Sequence, residues 1–252
     1  MDDASTDRTF ETVKELFPEV KILRNNVERF PSACRNIGIK SSRGSNIFFI
    51  DDDNILDRNT ISELAKILTE YDKVGVAGPV AFYYKHPRKI WCAGGKLNPP
   101  MFIITYIWQE VFSHSLERRL IECDYIPNAF MIKREITRFV GLFDERLPIG
   151  FEEADFALRI RKKGYRIVVS TTAKIFHDIP TTKDFHITKN RAYWRGRNRI
   201  IFYRKHAPLR CFFLFVDILG FTILLLTLKE NMRKILRYVQ GIKDGLAFPL
   251  YS

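Results

Sequence analysis

At 252 residues, 46% hydrophobic and 13% aromatic, the chain suits one α/β domain with a helical appendage and is too apolar to be disordered. A formal charge of +12 and a pI near 9.6 call for an anionic partner: a nucleotide, a nucleic acid or the acidic face of a membrane. Cys34, Cys92, Cys123 and Cys211 are scattered, with no CxxC pair and no Cys/His cluster, so neither a zinc site nor a disulfide framework is indicated.

In chain order, Asp2-Asp3-Ala4-Ser5-Thr6-Asp7-Arg8-Thr9 leads into a helical pattern at Phe10, Val13 and Leu16, with Asp7 or Thr9 as cap. A loop of this composition normally follows a strand, so one or two strands and a helix are expected ahead of Met1. Lys21 to Leu23 reads as a short strand and Ser32 to Ser42 as a helix ended by Gly44. Next comes an apolar run, Ile47 to Ile50, that ends in three carboxylates, Asp51, Asp52 and Asp53. Such a run suits an inner strand of a parallel sheet, and open α/β sheets bind ligands at the carboxyl ends of such strands. Three adjacent like charges need compensation, and hard carboxylate oxygens suit Mg²⁺ or Mn²⁺ carrying phosphate oxygens. The plain alternative is a solvated acidic turn before the next helix, with Asp57 as its N-cap.

Ile61, Leu64, Ile67 and Leu68 then repeat at helical spacing, and Val74 to Val80 is an apolar strand. Phe82 to Glu122 is irregular and aromatic and reads as an excursion or lid outside the core sheet. Tyr125 to Ile132 resumes strand character, and Arg134 to Val140 gives one or two helical turns. A helix from Phe151, with Ala154 and Leu158 on one side, stops at Gly164; Arg166 to Ser170 is a strand, followed by Ile175-Phe176-His177-Asp178. Glu152 and Asp155 lie three apart on one face of that helix, with Arg159 four residues on from Asp155 as an available ion-pair partner. Beyond Asp184 basic and aromatic residues alternate, and Cys211 to Leu228 is apolar apart from Asp217. A carboxylate there is costly in a lipid-exposed span, so the basic, aromatic and apolar pattern fits an interfacial segment on an anionic leaflet. RNA is the weaker reading of the same pattern, and a buried helix or a dimer contact the plain one.

Taken together these segments resemble the family 2 glycosyltransferases of the GT-A fold, in particular the rhamnosyltransferase-like branch. Asp2-Asp3-Ala4-Ser5-Thr6-Asp7-Arg8-Thr9 is similar to the family's D-(D/N)-x-S-x-D-x-T loop, and Arg35-Asn36-Ile37-Gly38 to its A-R-N-x-G segment. Asp51-Asp52-Asp53 resembles the DxD motif, and Gly141-Leu142-Phe143-Asp144-Glu145 with Phe151-Glu152-Glu153-Ala154-Asp155 its G-x-F-D-E…F-E-D-x-D segment. The family places Asp where this chain has Glu153, which lengthens the reach by one methylene.

The resemblance implies an α/β, Rossmann-like, mostly parallel sheet of the GT-A fold over residues 1–184, lacking its first strand and helix; the basic, aromatic and apolar residues of 185–252 are expected to form a helical, membrane-associated region. It implies Asp51, Asp53 and His177 as metal ligands for Mg²⁺ or Mn²⁺, although His177 taken alone reads more readily as a satisfied structural histidine, and only the family position brings the two readings level. Glu153 would be the general base, with Asp2, Asp3, Arg35, Asn36, Asp52, Glu152 and Asp155 contacting substrates. The implied activity is inverting transfer of a hexosyl or deoxyhexosyl group from a nucleotide-diphosphate sugar to a saccharide or lipid-linked acceptor, at the cytoplasmic face of the cell membrane, for cell-surface glycan. A catalytically silent sugar-nucleotide-binding or scaffold subunit is the alternative.

Overall fold

The computed structural model describes residues 1–98, 103–113, 116–179, 188–207, 219 and 232–250. Helices α1 (Thr9–Leu16) and α2 (Phe30–Ser41) precede strands β1 (Asn46–Phe49) and β2 (Asn54–Leu56), and α3 (Thr60–Glu70) leads into β3 (Val74–Tyr83). Strands β4 (His86–Cys92), β5 (Gly95–Asn98), β6 (Ile103–Tyr106), β7 (Leu120–Glu122) and β8 (Phe130–Lys133) follow. The remaining elements are α4 (Ile136–Val140), α5 (Glu152–Lys162), β9 (Arg166–His177), α6 (Lys189–His206) and α7 (Met232–Ala247).

The central sheet runs β1-β8-β3-β9-β2, with β4 added to β3 and β7 to β9. Every residue of β3 is buried because helices cover both its faces. On one face Leu64, Ile67 and Leu68 of α3 pack on Val74, Ala77 and Val168. On the other, Ile136 of α4 and Phe156 and Ile160 of α5 join Val76, Ile132 and Ile167. Ile201 and Phe202 of α6, and Leu250 beyond α7, belong to that second core, while α7 packs on α6 in a cluster of its own.

Several expectations need correction. The sheet is mixed: among the named strands only β3 and β9 pair in parallel, while β1, β2, β4, β7 and β8 join antiparallel. Strand β1 ends the sheet path among the described residues and pairs only with β8. Its apolarity comes from one buried face, Ile47 and Phe49, capped by the core helices. Lys21 to Leu23 forms no strand; the nearest pairing is a single parallel bridge between Asp2 and Arg24. Asp57 sits ahead of the α3 cap, Asn59, whose N–H its Oδ1 accepts at 3.2 Å.

The stretch from Phe82 is less of an excursion than its composition suggests, since β4 turns back on β3 and extends the core sheet. Residues 99–102 and 114–115 of that stretch lie outside the described residues. Arg166 to His177 is one long strand, not two, with a register shift opposite Pro79 and Val80 that breaks the apolar alternation. The apolar run Cys211 to Leu228 lies outside the described residues except at position 219, and among the described residues no helix is long and apolar enough to cross a membrane.

Candidate active site

The acidic triplet forms the turn between β1 and β2, so its three residues project from the sheet's edge and are exposed. Strand β2 pairs antiparallel with β9, with Asn54 opposite His177. That register brings two residues distant in sequence together: His177 Nε2 is 3.1 Å from Asp53 Oδ2. His177 is buried, its Nδ1 has no hydrogen-bond partner among the described residues, and the Trp91 ring stands edge-on to the imidazole at 4.5 Å. Tyr106 backs Trp91 at 5.5 Å.

Arg35, on α2, draws the other carboxylates together. Its Nη2 donates to Asp51 Oδ1 at 3.1 Å and to Glu153 Oε1 at 2.9 Å, and its Nη1 donates to Glu152 Oε1 at 3.1 Å. Asp51 and Glu153 therefore share one nitrogen, and the tip of β1 and the start of α5 border one site. Glu153 Oε1 also accepts the Asn128 N–H at 3.0 Å. Asn128 and Asn54 exchange two side-chain hydrogen bonds of 2.7 Å, tying the α5 side of the site to the acidic turn. The two asparagines were not expected from sequence; Asn54 directly after the triplet and Asn128 after Pro127 were the available signals.

The backbone around these groups is held in uncommon geometry. Phe151 (φ 69°) caps α5 and Phe30 (φ 66°) opens α2, both left-handed for bulky residues that disfavour it. Asn128 (φ 74°) is left-handed too, which asparagine tolerates better. Asp3 fixes the start of α2: its carboxylate accepts the N–H groups of Arg29 at 2.9 Å and Phe30 at 2.7 Å, and the Asn25 amide at 2.7 Å. Asp2 accepts the Ser5 N–H at 3.0 Å and pairs with Arg24 at 3.0 Å.

Burial raises the Glu153 carboxyl above its ordinary range, and Asp51 adds to this against the pull of Arg35. Burial, then the neighbouring Glu153, raises Glu152 too, and Glu152 Oε2 has no hydrogen-bond partner among the described residues. A carboxylate raised in this way is better matched to accept a proton near neutral pH.

Three expected site residues are positioned otherwise. Asn36 is buried, its Nδ2 donating to the Phe143 carbonyl at 2.9 Å while its Oδ1 accepts the Phe143 N–H at 2.8 Å, so it ties α2 to the loop before α5. Asp155 is 0% exposed and takes the alternative its spacing left open, pairing with Arg159 at 2.9 Å. Lys205 at 2.5 Å and His206 at 2.8 Å complete its shell. The expected trio of Asp51, Asp53 and His177 is not assembled, because Asp51 turns to Arg35. Among the described residues no group of three His, Cys, Asp or Glu is placed to hold a metal. The donor chemistry nonetheless suits Mg²⁺ or Mn²⁺: two half-exposed carboxylates beside an imidazole, in a site where a single guanidinium faces Asp51, Glu152 and Glu153.

The fold is that of the GT-A glycosyltransferases. It is similar to GalNAc-T7 solved with UDP, GalNAc and Mn²⁺ (TM-score 0.58, 15% identity, 81% of this chain and 42% of that one). It is also similar to the mannosyltransferase PcManGT from Pyrobaculum calidifontis solved with GDP-Man and Mn²⁺ (TM-score 0.55, 15% identity, 97% of this chain and 76% of that one). The chain belongs to glycosyl transferase family 2, whose model matches residues 1–141. Among curated relatives, the uncharacterized glycosyltransferase YwdF of Bacillus subtilis (strain 168) is 28% identical over 158 residues, 62% of this chain. The chain spans about half the length of that relative, 53%.

Proposed function

We propose that the chain is an inverting, metal-dependent glycosyltransferase that moves a hexosyl or deoxyhexosyl group from a nucleotide-diphosphate sugar to a hydroxyl of a saccharide or lipid-linked acceptor. The observation that carries this reading is the shared Arg35 nitrogen, which holds Glu153 of α5 and Asp51 of the acidic turn at one site. Asp53 and His177, with Asp51, would hold the cation. When bound, Mg²⁺ or Mn²⁺ supplies the positive charge that stabilises a departing diphosphate.

Glu153 accepts the proton of the acceptor hydroxyl as its oxygen bonds to the anomeric carbon and the bond to the diphosphate breaks. One base and no enzymic nucleophile are needed, so the configuration inverts. Asn128 and Arg35 hold the Glu153 carboxylate in place, and Asp52, exposed on the turn, is free to meet the donor. Asp2 and Asp3 shape the donor side by ordering the opening loop and the start of α2. A cell-surface glycan role, in the manner of the rhamnosyltransferase-like branch, and work at the cytoplasmic face of the membrane are part of the proposal. They are supported by the basic and apolar C-terminal sequence.

The test is turnover of a panel of nucleotide sugars with Mn²⁺ or Mg²⁺. Transfer is expected to vanish with a chelator and with Asp53→Ala, and to drop by roughly 10² to 10⁴ in kcat with Glu153→Gln. Donor binding without transfer to any acceptor, or hydrolysis, would favour the silent sugar-nucleotide-binding subunit instead.

A further inference from the structure

Helix α7 carries two apolar stripes. Ile235, Tyr238, Gly241, Ile242 and Gly245 form the first, buried against α6. The two backbones touch: a Cβ on Gly241 would lie 2.1 Å from the Tyr193 carbonyl oxygen, and one on Gly196 2.4 Å from that of Tyr238. Arg204 closes the end of the pair, its Nη1 donating to the carbonyls of Gly245 at 2.8 Å and Phe248 at 2.6 Å. This face of α7 is fully occupied within the chain.

The second stripe points away from α6. Met232, Leu236, Val239, Lys243 and Leu246 follow one another four, three, four and three residues apart, the spacing of a single helical line. Met232 is 62% exposed, Leu236 61%, Val239 36% and Leu246 50%. Lys243 sits within the line, and Arg233 and Arg237 beside it are exposed. The sequence reaching α7 contains the apolar run Cys211 to Leu228.

We propose that this outward stripe lies in the interface of an anionic lipid leaflet, its apolar side chains among the acyl chains and its basic residues at acidic headgroups. The inference rests on the proposal of a membrane-borne acceptor and names the surface that meets the membrane. A lysine inside an apolar line suits a bilayer, where its stem lies flat and its ammonium rises to the headgroups. A second copy fits less well: the line is short of the three or four heptads a coiled-coil seam needs, and its basic residues would face their own copies.

The experiment is flotation of the full chain with extruded vesicles of phosphatidylcholine, alone or mixed with phosphatidylglycerol, beside a Mn²⁺-dependent donor-hydrolysis assay without vesicles. The unaltered chain should float with the anionic vesicles. Leu236→Asp with Val239→Asp should weaken that partition roughly tenfold or more, and Arg233→Glu with Lys243→Glu should weaken it on anionic vesicles by a similar factor. Ile61→Asp, an exposed apolar position on α3, should change nothing. Circular dichroism checks that each variant is folded. An unaltered chain that stays unbound, or a stripe variant that floats as well as it, overturns the proposal and leaves residues 208–231 as the cover or the contact. A stripe variant that turns a dimer into a monomer overturns it in favour of a second copy. Normal flotation with no hydrolysis by any chain would instead sink the transferase reading and leave the docking surface standing.

Discussion

Arg35 faces three carboxylates with one guanidinium, and this imbalance governs the chemistry of its neighbours. Glu152 bears it most directly, because it is buried and one of its oxygens has no hydrogen-bond partner among the described residues. Its folded pKa stands above its unfolded one, so its contribution is complete below the ordinary carboxylate range and is lost as pH rises through the raised value. Glu152→Gln keeps an oxygen for Arg35 but removes the ionisation. Thermal melts from pH 5 to 9 should therefore show wild type losing more stability toward the alkaline side than the variant, in which only Glu153 of the pair still carries a raised carboxyl; parallel curves would refute the assignment. Arg35→Lys should lower both kcat and stability, since an ammonium cannot reproduce a planar fork reaching two helices and a turn. At this scale the order of motifs singled out Asp51 and Glu153, which the fold brings to one guanidinium. It gave no sign that Asn36 is tied to Phe143, far along the chain, and could not choose for Asp155, because sequence gives adjacency and not direction.

Among the elements, α5 is held from two sides at its first turn: Glu152 and Glu153 meet Arg35, and Asp155 meets Lys205 and His206 from the last turn of α6. Lys205 also reaches Asp144, and Phe151 packs on Phe202 with ring centroids 5.3 Å apart. Burial alone would raise the Asp155 carboxyl, but His206, Arg159 and Lys205 outweigh it and hold it far below the usual range. Its stabilisation is thus complete above the ordinary aspartate pKa and is lost as pH falls toward the depressed one. Asp155→Ala should cost about 3 to 5 kcal/mol in urea unfolding, because it removes the buried carboxylate that Arg159, Lys205 and His206 share. A loss below about 1 kcal/mol would mean solvent already compensates Lys205. The elements themselves were mostly legible from apolar spacing and glycine stops: α2, α3, α5 and β3 fall where the periodicity puts them. Strand direction was not, because an apolar run reads the same in parallel and antiparallel neighbours. The joining of β9 was hidden by the register shift that interrupts its alternation.

Across the whole molecule, α6 is the strut between α7 and the loop that precedes α5. Arg197 donates to the Arg146 carbonyl at 2.9 Å and Asn198 to the Ile149 carbonyl at 2.7 Å, while the glycines on its other side admit α7. Gly241→Val should break that seam, costing roughly 1 to 3 kcal/mol by overpacking and exposing α7 to limited proteolysis. Unchanged digestion would show that the seam yields without separating. The basic charge that first suggested an anionic partner is carried in part by this pair of helices, where Arg197, Arg204 and Lys205 serve internal contacts. Net charge was therefore a weaker guide to partners than it looked, since composition counts a buried arginine and an exposed one alike.

The edge-on contact of Trp91 with His177 gives the protein its own optical gauge. An indole a few ångströms from an imidazole is sensitive to whatever that imidazole binds, and the other tryptophans, Trp108 and Trp194, can be replaced by phenylalanine. In that single-indole protein, adding Mn²⁺ should change emission intensity along a saturating curve that His177→Ala abolishes. An emission that ignores the cation would move the ion to another seat without requiring any knowledge of the sugar.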